Sequence, residues 1–388
     1  MRIISVTTKS LTSRFHKVPF FIYKNDKEWI PHIKQEVDDV FNEDKNDLFV
    51  EGVAIRWVLE DEGGKDIGRI AAFIDKKKSQ GEKQLTGGVG FFECIDDTPA
   101  ASMLFNTAKD FLTNHGMAAM DGPINFGERN KYWGLLVDGH DRPPIYGNAY
   151  QPAYYQKLFE DYGFKVYFSQ YMYEVGIQEP MKAVFKKRLN TMANKEMYSF
   201  KHIELKNLNK YADDFRTIYN TAWQTHSNFN GLSQARARAI FKKMKMVIDE
   251  KLVWFVYFDN KPVAFLVSLP ELNEIFKYVN GNLNLWGKMK FMFYKWLKGS
   301  KNAFGVVFGI VPDHQSKGVE SLMLFEIKKA LKMHNPVYDK MILTWIGDFN
   351  PKMMRIVTAL SEIPYQKLHT YRILFDPKAK FEKCEIIE

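Results

Sequence analysis

The sequence predicts an α/β fold of the α+β kind, with two successive units that each form a mixed, mostly antiparallel sheet flanked by helices. Its 388 residues are too many for one ordinary domain and suit two. Hydrophobic residues make up 46% and aromatic residues 15% of the chain, which is enough to build substantial cores. The same order of strand and helix patterns occurs twice, so we expect domains at residues 1–180 and 201–388.

The first unit reads as strands and helices bounded by turn residues. Glu62-Gly63-Gly64-Lys65 marks a hairpin turn, and Gly116 ends a helical pattern. In order, we predict a strand over 18–25, a helix over 28–41, strands over 53–62, 68–75 and 88–96, a helix over 98–116, a strand over 117–125, a helix over 152–162 and a strand over 163–176.

The second unit repeats this order after a basic segment, residues 181–200, which we interpret as a helical connector. The predicted elements are a strand over 202–206, helices over 209–225 and 232–248, a hairpin of 252–259 with 262–270, a strand over 304–312, a helix over 319–334, a strand over 340–348, a helix over 351–363 and a strand over 368–375.

Cysteine content and hydropathy indicate a cytoplasmic protein. Cys94 and Cys384 are the two cysteines of the chain, so a disulfide framework and a cysteine-based metal site are excluded. The first residues lack the apolar core of a secretion signal, and no uncharged stretch of 18 residues could span a bilayer. Because no histidine or carboxylate motif has metal-ligand spacing, we expect no catalytic metal.

Charge is distributed unequally along the chain. Residues 1–180 carry 21 Lys and Arg against 27 Asp and Glu, whereas residues 181–388 carry 34 against 19. A basic half can serve a nucleic acid, an anionic membrane surface or a polyanionic cofactor, and charge alone does not choose among them. Its lysines follow no nucleic-acid reading motif, so we rank specific nucleic-acid binding last.

The segment with the clearest chemistry is the connection between the strand over 304–312 and the helix over 319–334. The first N–H groups of a helix have no partner within it, so they can donate to a phosphate with favourable dipole sign. Lys317 adds a positive charge, and Gly318 permits close approach of a ligand. The alternative is an ordinary turn with solvated polar residues.

This connection resembles the acyl-CoA pyrophosphate loop of the GNAT superfamily, whose pattern is Gln or Arg, two residues, Gly, one residue, then Gly or Ala. Gln315 and Gly318 match, while Glu320 replaces the final small residue and would repel phosphate unless it turns away. The resemblance implies acetyl-CoA or a longer acyl-CoA as co-substrate. The residues it implies for binding are Gly309, Ile310, Val311, Gln315, Ser316, Lys317, Gly318, Val319, Glu320 and Asn350.

The catalytic groups are less well defined by the resemblance. The family often has a tyrosine seven residues after the position of Asn350 to protonate the departing thiolate, and this sequence has Val357 there. Tyr365 and Tyr371 are the nearest candidates to replace it, although aromatic residues in a terminal strand more often belong to the core. His314 is a candidate base beside the loop, and Glu271 and Glu274 are comparable alternatives.

The first unit lacks this loop, since Thr98-Pro99-Ala100-Ala101 and two acids stand in its place. It carries aromatic runs over 122–139 and 142–164, which resemble the bacterial ceramide-synthase-like branch of tandem GNAT proteins. That branch implies N-acylation of a long-chain amine such as a sphingoid base. We expect Asn125, Tyr146 and Tyr155 to contact the acceptor.

An insertion over residues 271–302 contains an amphipathic helical pattern. Its apolar stripe consists of Leu285, Trp286, Met289, Met292, Phe293, Trp296 and Leu297, with lysines between. We weigh two roles for this helix equally, and one helix can serve both. It is a lid whose Trp286 and Trp296 contact the acceptor, or a peripheral contact with the inner face of an anionic membrane. Because each unit lacks part of the GNAT pattern, non-catalytic binding of CoA or lipid stays the alternative function.

Overall fold

The computed structural model describes residues 1–80, 83–224, 231–333 and 338–387, and within them the two halves of the chain share one sheet of thirteen strands. The first half contributes β1 Arg2–Ser5, α1 Lys9–Ile22, α2 Lys34–Val40, β2 Gly52–Glu60, β3 Asp66–Asp75, α3 Lys76–Gln80, β4 Thr86–Cys94, α4 Thr98–Asn114, β5 Ala119–Gly122, β6 Leu135–Asp138, α5 Tyr154–Tyr162 and β7 Lys165–Gly176.

The second half contributes α6 Ala183–Asn190, β8 Tyr198–His202, α7 Leu208–Trp223, α8 Gln234–Met244, β9 Val253–Phe258, β10 Lys261–Pro270, α9 Asn273–Phe276, α10 Leu285–Leu297, β11 Asn302–Ile310, α11 Val319–Met333, β12 Lys340–Gly347, α12 Pro351–Leu360 and β13 Pro364–Leu374. The α+β fold class predicted from the sequence is confirmed, because ten of the twelve strand pairings are antiparallel.

The two halves exchange their last strands. The order across the sheet is β1-β2-β3-β4-β5-β13-β7-β12-β11-β10-β9-β8, and β6 pairs with β13. β13, the last strand of the chain, therefore lies beside β5 of the first half, while β7 lies beside β12 of the second. The boundaries expected at residues 180 and 201 stay a prediction, but neither half completes its part of the sheet with its own strands alone.

Two predicted strands have a different structure. Of residues 18–25, predicted as a strand, 18–22 form the end of α1 and 23–25 form the turn after it. The first turn of α1 is capped by the hydroxyl of Thr8, which accepts from Leu11 N. Of the strand predicted over 202–206, residue 202 belongs to β8, which begins at Tyr198 inside the predicted connector, and residues 205 and 206 lie in a 3₁₀ helix. The aromatic run at 18–25 has strand propensity, but α1 buries Phe15 and Val18 on one helical face, and this packing overrides propensity.

One hydrophobic cluster belongs to both halves. It joins Leu136 and Ile145 of the first half to Phe255 and Phe304 of the second, with Leu368 of β13 among them. Each of these side chains is at least nine-tenths buried, so separating the halves would expose apolar surface that neither half covers by itself.

Candidate functional site

The predicted phosphate loop joins β11 to α11 through a short helical turn, Pro312–His314. Gln315 closes the turn, because its side-chain Nε2 donates to the carbonyl of Ile310 at 3.0 Å. Ser316 and Gly318 both have left-handed backbones, with φ of 59° and 87°. Leu322 N donates back to the Gly318 carbonyl, so the amides of residues 319–321 form the first, open turn of α11.

The Glu320 carboxylate, which the sequence places where it would repel a phosphate, is turned away from solvent. Its residue is 7% exposed, and one carboxylate oxygen lies 3.6 Å from Nη1 of Arg188. Arg188 belongs to α6, which the sequence predicts only as part of a connector. About half of the Arg188 side chain is exposed, so a second cation, besides exposed Lys317, lies beside the loop. The basic end of α6 was the sequence signal for this residue.

Gly318 lies under the end of α6. A Cβ added at Gly318 would lie 3.7 Å from the Arg188 carbonyl and 3.8 Å from the Met192 side chain. The position has room for a Cβ, but its left-handed backbone disfavours any residue other than glycine. Residues 315–317 are exposed, whereas Gly318, Val319 and Glu320 are buried. The exposed side of the turn is therefore the part that a ligand can reach.

β11 and β12 separate as they approach the loop. They pair in parallel over residues 302–305 and 340–343 only. Beyond this point the Thr344 hydroxyl donates to the Gly305 carbonyl at 2.8 Å, and Trp345 turns the chain away with a φ of 65°. The β12-facing edge of β11 from residue 306 onward is not paired with β12. This divergence leads directly to the loop, and an open strand edge can accept an extended ligand as an added strand.

The remaining residues expected to contact acyl-CoA flank this divergence. Gly309 and Ile310 pair with β10 on their other side, and Val311 N donates to the Val263 carbonyl. The ring of Trp223 covers Gly309, since a Cβ at Gly309 would lie 2.8 Å from its Cζ3 atom. Asn350 lies past the end of β12 and caps α12, with its side-chain oxygen accepting from Met353 N at 3.0 Å.

His314 is the last residue of the short turn after β11, and its side chain faces β8. Its Nδ1 atom lies 2.8 Å from the Tyr198 hydroxyl, and its ring packs against Tyr198 and Phe258. Burial, with a smaller effect of the nearby Lys317 charge, lowers the pKa of His314 below its ordinary value. The ring is therefore neutral at neutral pH.

The two tyrosines predicted to replace the missing acid lie elsewhere. Tyr371 is fully buried in the core of the first half, where its hydroxyl donates to Glu160 at 3.0 Å. Tyr365 donates to the Pro143 carbonyl at 3.0 Å within the shared cluster. Burial raises the pKa of both hydroxyls. The structure thus does not bring Tyr365, Tyr371 and His314 together, because β13 inserts into the first half.

The tyrosines that do lie beside Val357 come from β7. Val357 is fully buried in a cluster with Tyr173 and Ile346, and Tyr171 packs against the same cluster. Burial raises the pKa of Tyr173. Sequence reasoning missed these residues because β7 belongs to the first half of the chain and reaches β12 only through the strand exchange.

In the first half, the corresponding strand-to-helix connection is closed by its own carboxylate. Asp97 caps α4, and its side chain accepts from Ala100 N at 2.9 Å. Tyr155, predicted to contact the acceptor, is fully buried and donates to Glu93 at 2.9 Å, which places it in the core instead. Asn125 is 5% exposed, and its side-chain oxygen has no hydrogen-bond partner among the described residues.

Tyr146, also predicted to contact the acceptor, lies at a junction between the halves. Its hydroxyl donates to Glu36, and its backbone N donates to Glu271 at 2.9 Å. Asn273 N donates to the same oxygen of Glu271. The other oxygen of Glu271 has no partner among the described residues. Burial raises the pKa of Glu271 to about 8, so this carboxyl group carries a proton at neutral pH.

Trp286 and Trp296 project outward from α10, with 70% and 80% of their surfaces exposed. Among the residues that the structure describes, no group of three or more His, Cys, Asp or Glu side chains is placed to hold a metal ion. No helix in the same part of the chain is both long enough and apolar enough to cross a membrane.

Comparisons of the sequence and of the structure with known proteins gave the following results. No family model matches the sequence. The chain is 26% identical to the bacterial ceramide synthase of Caulobacter vibrioides over 376 residues, which is 96% of each chain. It is 23% identical to the protein YghO of Escherichia coli over 362 residues, covering 92% of this chain and 91% of that protein.

Two solved structures share the fold. A tandem GNAT protein from the clavulanic acid biosynthesis pathway superposes with a TM-score of 0.55 at 9% identity, covering 97% of this chain and 99% of that one. A GCN5-related glucosamine N-acetyltransferase region of a fungal β-N-acetylglucosaminidase gives 0.53 at 11% identity, covering 96% of this chain and 38% of that longer one. The chain therefore has the fold of tandem GNAT proteins and is similar over nearly its whole length to a bacterial ceramide synthase.

Proposed function

We propose that the protein is an acyl-CoA-dependent N-acyltransferase whose donor binds in the second half of the chain. The observation that carries the proposal is the separation of β11 from β12 directly before a loop with exposed residues, an open helix turn and two cations. A phosphate-bearing thioester needs both parts, because its diphosphate requires N–H donors and positive charge while its extended arm requires an open strand edge.

In this proposal the exposed residues 315–317 in front of α11, which include Lys317, and the Arg188 side chain bind the diphosphate of acetyl-CoA or of a longer acyl-CoA. The free edge of β11 around Gly309 then pairs with the extended arm, so that the thioester lies near the point where β11 and β12 separate. Transfer forms a C–N bond to a neutral amine and breaks the C–S bond, and the amine must lose a proton. Five residue steps of extended β11 separate Gly305 from Ile310, about 16 Å at ~3.3 Å per residue, so His314 beside the loop lies too far from the thioester to accept this proton directly.

The proposed acceptor is a long-chain amine such as a sphingoid base. The name of the Caulobacter relative supports this substrate class, and that relative aligns over 96% of this chain. The outward apolar face of α10 supports it as well, because an enzyme with a lipid acceptor benefits from contact with the membrane that holds it. We accordingly propose a cytoplasmic protein that works at the inner face of the membrane.

The test is an acyl-transfer assay with acetyl-CoA and long-chain acyl-CoA against two acceptor classes, sphingoid bases and polyamines, followed by mass spectrometry of the product. The proposal expects an N-acylated long-chain amine and little product from polyamines. Tight acyl-CoA binding without transfer to any amine would instead favour the non-catalytic alternative. That alternative is supported by the absence of a tyrosine at position 357 and by the distant placement of Tyr365 and Tyr371.

A further inference from the structure

Among the described residues, exposed large hydrophobic side chains are most concentrated on α10. Seven large hydrophobic side chains of this thirteen-residue helix are each at least half exposed: Leu285 75%, Trp286 70%, Met289 54%, Met292 50%, Phe293 52%, Trp296 80% and Leu297 53%. A soluble helix normally turns such a stripe toward its core. The sequence left open whether this helix is a lid or a membrane contact, and its apolar face covers nothing in the described structure.

The orientation of α10 is fixed by its opposite side. Phe291 is 7% exposed and packs 5.0 Å from the ring of Phe276, in a cluster that includes Ile33 of the first half. Gly287 is so close to the preceding turn that a Cβ there would lie 1.8 Å from the Asn282 carbonyl oxygen. Asn284 caps the first turn by accepting from Gly287 N. Rolling the apolar face inward would break this packing.

One further exposed hydrophobic residue, Met246, lies beside the apolar face of α10. Met246, in the turn after α8, is 68% exposed, and Lys295 of α10 donates to its carbonyl at 2.6 Å. Exposed lysines surround both segments: Lys242, Lys243, Lys245, Lys288, Lys290 and Lys298. We call the seven α10 side chains and Met246 the docking face, and these lysines its basic rim.

We propose that the docking face binds the surface of an anionic lipid bilayer. Tryptophan side chains favour the boundary between headgroups and acyl chains, and lysines near an anionic surface contribute ~1 kcal/mol each. A second copy of the chain is the less suitable occupant, because a symmetric pair would bring two basic rims together. The length of α10 suits a helix that lies in the interface, since about twenty residues are needed to cross a bilayer.

This inference deepens the proposed function. It rests on that function only for the reason why the protein would bind a membrane, which is access to an acceptor dissolved in the bilayer. The binding itself requires no catalysis. It can therefore be measured on the full chain without acyl-CoA or amine, so that its failure and the failure of acyl transfer are distinguishable.

The experiment is sedimentation with vesicles of phosphatidylcholine alone or with added phosphatidylglycerol. The wild-type chain should sediment with the anionic vesicles, less so in high salt, and weakly with the neutral ones. The variant Trp286→Ser/Phe293→Ser/Trp296→Ser keeps Phe291 and should lose at least about tenfold in apparent affinity. The matched control Val50→Ser/Ile363→Ser alters residues of similar exposure elsewhere and should bind as the wild type does.

A second variant tests the basic rim. Lys288→Ala/Lys290→Ala should weaken binding to anionic vesicles by about tenfold and leave the weak binding to neutral vesicles unchanged. Equal sedimentation of the wild type and the triple variant would overturn the proposal. So would a wild-type dimer in light scattering that the triple variant converts to a monomer while neither protein binds vesicles.

Discussion

The two strand-to-helix connections of this molecule have the same place in their respective halves and opposite chemistry. After β4, Asp97 accepts from Ala100 N and fills the open turn of α4 with a carboxylate of the chain itself. After β11, the left-handed residues Ser316 and Gly318 precede α11, and the nearby Glu320 carboxylate points to Arg188 instead. A carboxylate at a helix N-terminus takes up one of the N–H groups there and repels a phosphate, so we expect the donor site in the second half alone.

The largest effect is expected from Gly318→Val. Valine would strain the left-handed backbone and move the turn that presents the amides, so acyl-CoA affinity should fall by about 100-fold in calorimetric titration. Gly64→Val is the matched control, because Gly64 has a φ of 81° and no neighbour within 4 Å of an added Cβ. It should lose similar stability and keep its affinity. If the two variants bind acyl-CoA with equal affinity, the loop around Gly318 is not part of the binding site.

The junction between the halves should show a pH dependence. The pKa of Glu271 is about 8 in the folded chain against 4.5 in the unfolded one, so between these values the folded state binds the additional proton. Stability should therefore fall as pH rises, by up to about 1.4 kcal/mol per pH unit, and level off above pH 8. Urea unfolding of Glu271→Gln should lack this fall. A parallel pH dependence in both proteins would contradict the prediction.

The two cations beside the loop should each contribute a smaller amount of binding. Lys317→Ala should weaken acyl-CoA affinity by about tenfold, as expected for one partly exposed charge-assisted contact. Arg188→Ala should weaken it somewhat more, because it also leaves the Glu320 charge without its partner near the phosphate. Lys329→Ala removes an exposed lysine from the same helix and should change little. If all three variants bind alike, the cations do not act at the site.

The smallest effect is expected from Asp97→Ala in the first half. Loss of the cap should lower the free energy of unfolding by about 1 kcal/mol in urea denaturation. Acyl-CoA affinity should stay unchanged, because we propose that the donor binds in the second half. A loss of affinity that exceeds the loss of stability would show that the first half also binds the donor.

Local patterns in the sequence predict most of the fold. The hairpins at 53–75 and 252–270, the helix that begins at Val319 and the strand–loop–helix order around it depend on alternation, turn residues and caps that lie close together in the chain. The strand exchange could not be predicted in this way, because the pairing of β13 with β5 joins residues about 250 positions apart.

The candidate site was predictable to the same extent. Gln315 and Gly318 lie in one contiguous motif, and the structure places them at the turn that the motif predicts. Arg188 reaches the loop from α6, and Tyr173 reaches Val357 from β7 of the first half. No local pattern in the sequence links either residue to its partner. Tyr371 lies in the core of the first half for the same reason, because its strand pairs with β5.

The central claim is that one half of the chain binds the thioester donor and the other does not. Isothermal titration of the full-length wild-type chain with an acyl-CoA tests it most directly, through the stoichiometry. The account predicts one saturable site per chain, which Gly318→Val weakens by about 100-fold and Asp97→Ala leaves intact. Two sites per chain, or a single site that Asp97→Ala removes and Gly318→Val preserves, would contradict it.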